Sequence, residues 1–198
     1  MKYLIKLSVL AMLFLSFTTT TFAQETTKKV KTLSAEKILP FSAEKVWAIV
    51  GEDYGAIARS HPRIIESNYI NGSLKAGEGA ERVCYFNEKH TQYLKEKMID
   101  YDPENFAFTN TIYQVGKFPL DYDHTRGYWK ISPRTDNSSK IVLEGTLRTK
   151  PACMGGMMKR QFTKLIEDYF IAIEHHLSTG EDVTKENFKS VKRQYATR

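Results

Sequence analysis

One long amphipathic helix near the C-terminus most constrains what this chain can fold into. In residues 152–179, apolar side chains recur at steps of three or four, which places them on one face of an α-helix. The apolar positions are Met158, Phe162, Leu165, Tyr169, Ile173 and Leu177, and Lys159, Lys164, Glu167 and Glu174 fall elsewhere. A helix about 40 Å long needs an apolar surface to pack on, and the strand-rich region 60–150 is the candidate. We therefore expect a helix lying across a sheet.

Strand patterns separated by turns fill most of the chain before this helix. A weak alternation over 31–39 predicts a first strand, and Ser42 can cap a short helix that ends before Gly51. A second helical turn at 56–60 follows. Further strands are predicted at 63–71, 79–87, 91–101, 106–113, 121–132 and 141–149. Short connections favour antiparallel neighbours. The expected fold class is α+β, with about seven antiparallel strands and two short helices after the first.

The first 23 residues have the pattern of a secretory signal peptide. Lys2 and Lys6 precede an apolar run at 7–17, and the small residue Ala23 stands before Gln24. We expect cleavage near Ala23 and export to the periplasm or the medium. A polar lead-in at 24–30, one domain at 31–180 and a basic tail at 181–198 complete the predicted organisation. No run after the signal peptide is long enough to cross a membrane.

The charge balance and the cysteines limit the possible partners and bonds. The net charge of +6 falls to +4 without Lys2 and Lys6, which is too modest to indicate a nucleic-acid-binding protein. The tail is predicted to be solvated, with weak attraction to a membrane surface as the alternative. A bridge between Cys84 and Cys153 is possible after export, but two buried free thiols are favoured.

Alternate residues of a strand lie on the same face of the sheet, and this pattern brings two charged side chains together in the predicted sheet. If the turn at 87–90 closes a hairpin centred on residue 89, Cys84 pairs with Leu94 and Arg82 pairs with Glu96, on an otherwise apolar side. The pair is either a buried structural ion pair or a charged patch presented to a ligand within an apolar cavity.

Other inward positions suit either a core or a pocket wall. Phe108 and Asn110 share one side of their strand, and Thr125 and Trp129 share one side of the next. In the last strand, periodicity turns Ile141, Leu143 and Leu147 inward and therefore places Glu144 outside.

Four short sequences carry a resemblance to a known family: PFSAEKVW at 40–47, GAER at 79–82, EKMID at 96–100 and ISP at 131–133. They resemble the START-like superfamily labelled polyketide cyclase/dehydrase and lipid transport. The resemblance implies a helix-grip fold, a curved sheet around the long helix, with a cavity for a hydrophobic or amphipathic small molecule. It also implies that Arg82, Glu96 and Glu144 point inward, the last against periodicity. Where related abscisic-acid receptors carry a lysine for a ligand carboxylate, this chain has Pro62, with Glu66 as the next charged group.

No phosphate-binding loop, serine elbow or zinc-type spacing is present in the sequence, so we predict neither cofactor nor metal. The favoured function is a monomeric binding or carrier protein for a lipid- or polyketide-like molecule. Its expected ligand-binding residues are Glu66, Arg82, Glu96, Phe108 and Asn110, together with Thr125, Trp129, Glu144, Met158 and Phe162. One alternative is a cyclase or dehydratase in which Glu66, Glu96, Asp123 or Glu144 acts with Tyr113 as acid and base. Of these, Glu66 and Glu144 are the better candidates for a base, since Glu96 is expected to pair with Arg82. The other alternative is an envelope interaction module.

Overall fold

A computed structural model describes residues 29–195, which form one seven-stranded antiparallel sheet with a long C-terminal helix. The strands are β1 Lys31–Leu39, β2 Glu66–Tyr69, β3 Glu81–Tyr85, β4 Tyr93–Asp102, β5 Ala107–Val115, β6 Arg126–Thr135 and β7 Ser138–Leu147. Their spatial order is β1-β7-β6-β5-β4-β3-β2, so consecutive strands after β1 are neighbours. The predicted fold class is confirmed. The predicted signal peptide and most of the polar lead-in lie outside the described residues.

Within residues 29–195, three α-helices and three short 3-10 helices accompany this sheet. Helix α1 is Ala43–Val50, α2 is Gly155–Thr179 and α3 is Phe188–Tyr195. The 3-10 helices are Tyr54–Arg59, Tyr122–His124 and Ala152–Met154. Helix α1 begins as predicted, because the side chain of Ser42 accepts a hydrogen bond from the backbone N–H of Lys45. Helix α2 ends at Gly180, whose φ of 77° is a left-handed conformation that glycine adopts without strain.

The hairpin of β3 and β4 has the predicted register. Cys84 pairs with Leu94 and Arg82 pairs with Glu96. The turn is fixed by the side chain of Asn87, whose Oδ1 accepts hydrogen bonds of 3.0 Å from the backbone N–H groups of Thr91 and Gln92. Since successive side chains alternate between faces, this register places Arg82 and Glu96 together on the face that α2 covers.

Helix α2 packs its apolar face against the sheet, as its periodicity predicts. Tyr169, Phe170 and Ile173 are buried, and the rings of Tyr169 and Phe170 both meet the edge or face of Trp129 in β6. Glu174 falls outside the predicted apolar positions of the helix and is nevertheless buried. Its carboxylate lies 3.1 Å from the ammonium group of Lys37 in β1, so the charge is paired where the helix crosses the edge strand.

The segment predicted as a solvated tail is folded as far as Tyr195. Helix α3 packs against α2: Val191 is buried, and Lys192 forms an ion pair with Asp168. The prediction was wrong because burial of one valine and one ion pair depends on tertiary contacts that a basic sequence does not reveal. Both cysteines are free; Cys84 is buried as expected, but Cys153 is exposed.

Candidate ligand-binding cavity

An apolar inner chamber of about 130 Å³ lies between the sheet and α2. Six of the seven strands contribute to its wall, every strand except β2, which shows that the sheet curves around the helix. Its apolar lining includes Leu33, Trp129, Leu143, Leu147, Phe162 and Ile166. Because these side chains come from both the sheet and the helix, the chamber occupies the position where a fully packed core would otherwise be.

A larger outer chamber of about 460 Å³ adjoins the inner one. Phe86, Leu94, Phe162 and Leu165 line both chambers and therefore mark the boundary between them. The outer chamber has a more polar wall, which includes Arg63, Gln92, Gln161, Lys164 and Asp168. Arg63 and Lys164 are exposed, so this chamber reaches the protein surface.

A buried ion pair forms the polar part of the inner chamber. The Nε of Arg82 donates to Oε2 of Glu96 at 2.7 Å, and both residues are at most 6% exposed. The amide of Asn110 donates to the other carboxylate oxygen, Oε1, at 3.0 Å, and the thiol of Cys84 lies 3.6 Å from Oε2. Every oxygen of Glu96 is thus engaged by a protein donor, which offsets the cost of burying its charge.

Tyr54 connects this ion pair to the first helical segment. Its hydroxyl donates to Oδ1 of Asn110, its carbonyl accepts from Nη1 of Arg82, and the guanidinium carbon lies 3.7 Å from its ring centroid. Burial raises the pKa of the Tyr54 phenol well above its ordinary value, and burial also raises the pKa of the Cys84 thiol to about 12. Both groups therefore stay protonated at neutral pH.

His61 is a further polar group on the wall of the inner chamber. It is 6% exposed, and its ring lies 4.8 Å from that of Tyr169. Burial, followed by the positive charges of Arg82 and Arg63, lowers the pKa of His61 to about 3, so the imidazole is neutral. His61 is not among the binding residues predicted from the sequence, because an isolated histidine at the end of a helical turn carries no motif.

The structure brings six of the predicted binding residues to the inner chamber: Arg82, Glu96, Asn110, Thr125, Trp129 and Phe162. Phe108 is instead packed in the core between the rings of Trp47 and Trp129. Met158 lines the outer chamber. The hydroxyl of Thr125 donates a hydrogen bond to the backbone carbonyl of Asp121 at 2.8 Å, so its proton is engaged within the protein.

The remaining candidate acids and bases lie away from both chambers. Glu66 is half-exposed on β2 and pairs with His90 at 2.9 Å. Tyr113 donates to Glu81 at 3.1 Å. Glu144 is exposed on β7, as is Asp123 in its 3-10 helix. The inward orientation of Glu144 implied by the family resemblance is wrong, and the alternation of β7 explains why: Leu143 faces the chamber, so the next residue faces solvent.

Residues 29–195 contain neither a metal-binding cluster nor a membrane-spanning helix. No group of three or more His, Cys, Asp or Glu side chains is arranged to hold a metal ion in this part of the chain. Among the helices described there, none is both long and apolar enough to cross a membrane.

Residues 31–172 match the family model described as polyketide cyclase / dehydrase and lipid transport. The chain belongs to this family. The match covers the whole sheet, the cavity and most of α2, and ends before the segment that carries α3. No curated protein sequence matches the chain.

Solved structures show the same fold at low sequence identity. Ara h 8.0201 shares 21% identity with a TM-score of 0.59, over 76% of this chain and 99% of that one. Truncated norcoclaurine synthase from Thalictrum flavum shares 17% identity with a TM-score of 0.57, over 76% and 94%. The di-domain ARO/CYC BexL from the BE-7585A biosynthetic pathway shares 13% with a TM-score of 0.60, over 75% and 46%. These similarities confirm the fold that the sequence resemblance implies.

Proposed function

We propose that this protein binds a hydrophobic or amphipathic small molecule between the sheet and α2, as a carrier or binding protein. The observation that carries the proposal is the pair of adjoining chambers, of about 130 and 460 Å³, in place of a filled core. An apolar ligand portion fits the inner chamber, where leucine and aromatic side chains form most of the wall. A polar portion fits the outer chamber, where Arg63, Gln161 and Lys164 are available.

The positions and hydrogen bonds of the carboxylates favour a binding function over a cyclase or dehydratase. Among the acids considered for catalysis, Glu96 reaches the inner chamber, whereas Glu66, Asp123 and Glu144 do not. Both oxygens of Glu96 accept hydrogen bonds from the protein, one of them from Arg82. A carboxylate held in this way has to break one of these hydrogen bonds before it can take a proton from a substrate.

A fluorescence assay with paired helix variants tests the proposal. The probe is N-phenyl-1-naphthylamine, an uncharged apolar dye that brightens when it leaves water. Leu165→Trp enlarges a side chain at the boundary between the chambers, and Met157→Trp makes the same change at an exposed position of the same helix. We expect the first variant to weaken dye binding at least tenfold and the second to leave it unchanged. Wild-type protein that fails to bind the dye would refute the proposal.

Export of the mature protein is a separate part of the proposal. It is supported by the charged, apolar and small-residue order of residues 1–23. N-terminal sequencing of the protein from fractionated cells tests it: we expect a mature chain that begins near Gln24, outside the cytoplasm. A full-length cytoplasmic chain would contradict export without affecting the binding proposal. Native mass spectrometry of the same sample tests the expected monomer and identifies any ligand carried through purification.

A further inference from the structure

The hydrogen bonds around His61 define which of its ring nitrogens carries the proton. The backbone N–H groups of Arg63 and Ile64 both point at Nδ1, each at 3.1 Å. Nδ1 must therefore present its lone pair, and in a neutral imidazole the proton is then on Nε2. Within residues 29–195, no hydrogen bond engages this Nε2–H group. The residue is 94% buried and lies on the wall of the inner chamber, where a ligand can reach this donor.

The polar groups of the buried ion-pair cluster, Arg82, Glu96 and Asn110, offer donors rather than acceptors. Both oxygens of Glu96 and the side-chain oxygen of Asn110 already accept hydrogen bonds from the protein. The guanidinium of Arg82 uses Nε and Nη1 in its contacts with Glu96 and Tyr54, which leaves Nη2 as a further donor on the same wall. A ligand that reaches this cluster therefore meets unused donors, whereas the cluster's acceptors are already engaged.

The charge balance indicates that the matching acceptor is uncharged. The guanidinium of Arg82 is neutralised by Glu96 at 2.7 Å, and His61 is neutral. An anion placed beside them would be buried without a counterion, at high cost. A ketone, ester or ether oxygen would satisfy the donors without adding charge.

We propose that His61 is a specificity-determining residue that donates its Nε2–H to an uncharged oxygen, such as a carbonyl, at the buried end of the ligand. The proposal rests on the proposed binding function and narrows the ligand to amphipathic molecules with an acceptor at the end that enters first. His61 selects the ligand by hydrogen bonding, and the site needs no proton transfer from it.

Two probes of nearly equal shape test this role. In 2-acetylnaphthalene the side group ends in a carbonyl oxygen, and in 2-isopropenylnaphthalene a CH₂ group replaces that oxygen. Their dissociation constants are measured by displacement of N-phenyl-1-naphthylamine from the wild type and from His61→Asn. The asparagine oxygen can still accept from the two backbone N–H groups, but the shorter side chain does not reach the chamber. We expect the ratio of ketone to alkene affinity to fall about tenfold in the variant, the loss typical of one buried hydrogen bond.

The outcomes separate the two proposals. If neither naphthalene binds the wild type, the binding function itself fails. If both bind but the affinity ratio is the same in wild type and variant, the role of His61 is refuted and the binding function stands. Imidazole ¹⁵N spectra of the wild type give an independent check that does not depend on how the variant folds. The Nε2–H tautomer, with an Nε2 shift that responds to the ketone and not to the alkene, is the expected result, and the Nδ1–H tautomer would overturn the proposal.

Discussion

Removing the buried charge of Glu96 should cost much of the stability of this fold. In Glu96→Gln, the guanidinium of Arg82 keeps its charge at 5% exposure but loses the carboxylate 2.7 Å away. Breaking a buried ion pair by removing one partner typically costs roughly 3–5 kcal/mol, because the remaining charge is neither hydrated nor paired. Since a domain of this size is stable by about 5–15 kcal/mol, we expect a folded but strongly destabilised protein.

A matched control lies one residue away in the same two strands. Glu81 pairs with Lys97 directly beside the Arg82 and Glu96 pair, but on the outer face of the sheet, at 2.7 Å with the lysine side chain 42% exposed. Surface ion pairs contribute about 0.2–1 kcal/mol, because water screens and solvates both charges. Lys97→Gln should therefore cost at most about 1 kcal/mol.

Urea unfolding at pH 7, followed by far-ultraviolet circular dichroism, measures both changes. The double variant Arg82→Met with Glu96→Leu removes both buried charges and should recover most of the stability lost in Glu96→Gln. Equal unfolding free energies for Glu96→Gln and Lys97→Gln would refute the reasoning, since they would mean that the inner pair is as well hydrated as the outer one.

Three further predictions use other parts of the structure. The pKa of His61 is about 3 in the folded protein against 6.5 when unfolded, so its contribution to stability is present above pH 6.5 and is lost as the pH falls. One such group lowers the free energy of unfolding by about 1.6 kcal/mol between pH 6.5 and 5. In urea titrations, His61→Asn should therefore reduce the dependence of the unfolding free energy on pH. An unchanged slope would contradict it. Val191→Asp should release α3 from α2 and speed tryptic cleavage after Lys189, without altering the circular dichroism of the sheet. Cleavage as slow as in the wild type would show that the packing of α3 does not depend on Val191. A thiol reagent should modify the exposed Cys153 quickly and should modify the buried Cys84 only when the protein unfolds. Rapid modification of both thiols in the folded protein would contradict the burial of Cys84.

Local rules predicted the parts of this fold that depend on nearby sequence. The register of β3 and β4 followed from a short turn and from alternation, because a hairpin fixes its own pairing. The face of α2 followed from its 3.6-residue period. The same alternation correctly placed Glu144 outside, whereas the family resemblance implied the opposite, because similar fold does not require equivalent side-chain orientation at each position.

The parts that could not be predicted depend on contacts between distant segments. Glu174 is buried because Lys37, in the first strand, reaches it. Helix α3 is ordered by a contact with α2 that its own basic sequence does not indicate. His61 acquires its role from two backbone N–H groups in a tight turn and from a chamber wall to which β1 and the strands from β3 to β7 contribute. No sequence periodicity or motif predicts any of these contacts.

The two adjacent ion pairs of β3 and β4 also act against incorrect folding. If β3 slipped by one residue in one direction, Arg82 would stand opposite Lys95 and Glu81 opposite Glu96, so that both pairs would become repulsive. A slip in the other direction would place Arg82 opposite Lys97. Each misaligned hairpin therefore meets like charges before α2 can pack on it. During folding, repulsion between these charges would destabilise wrong alignments that the apolar residues alone would tolerate.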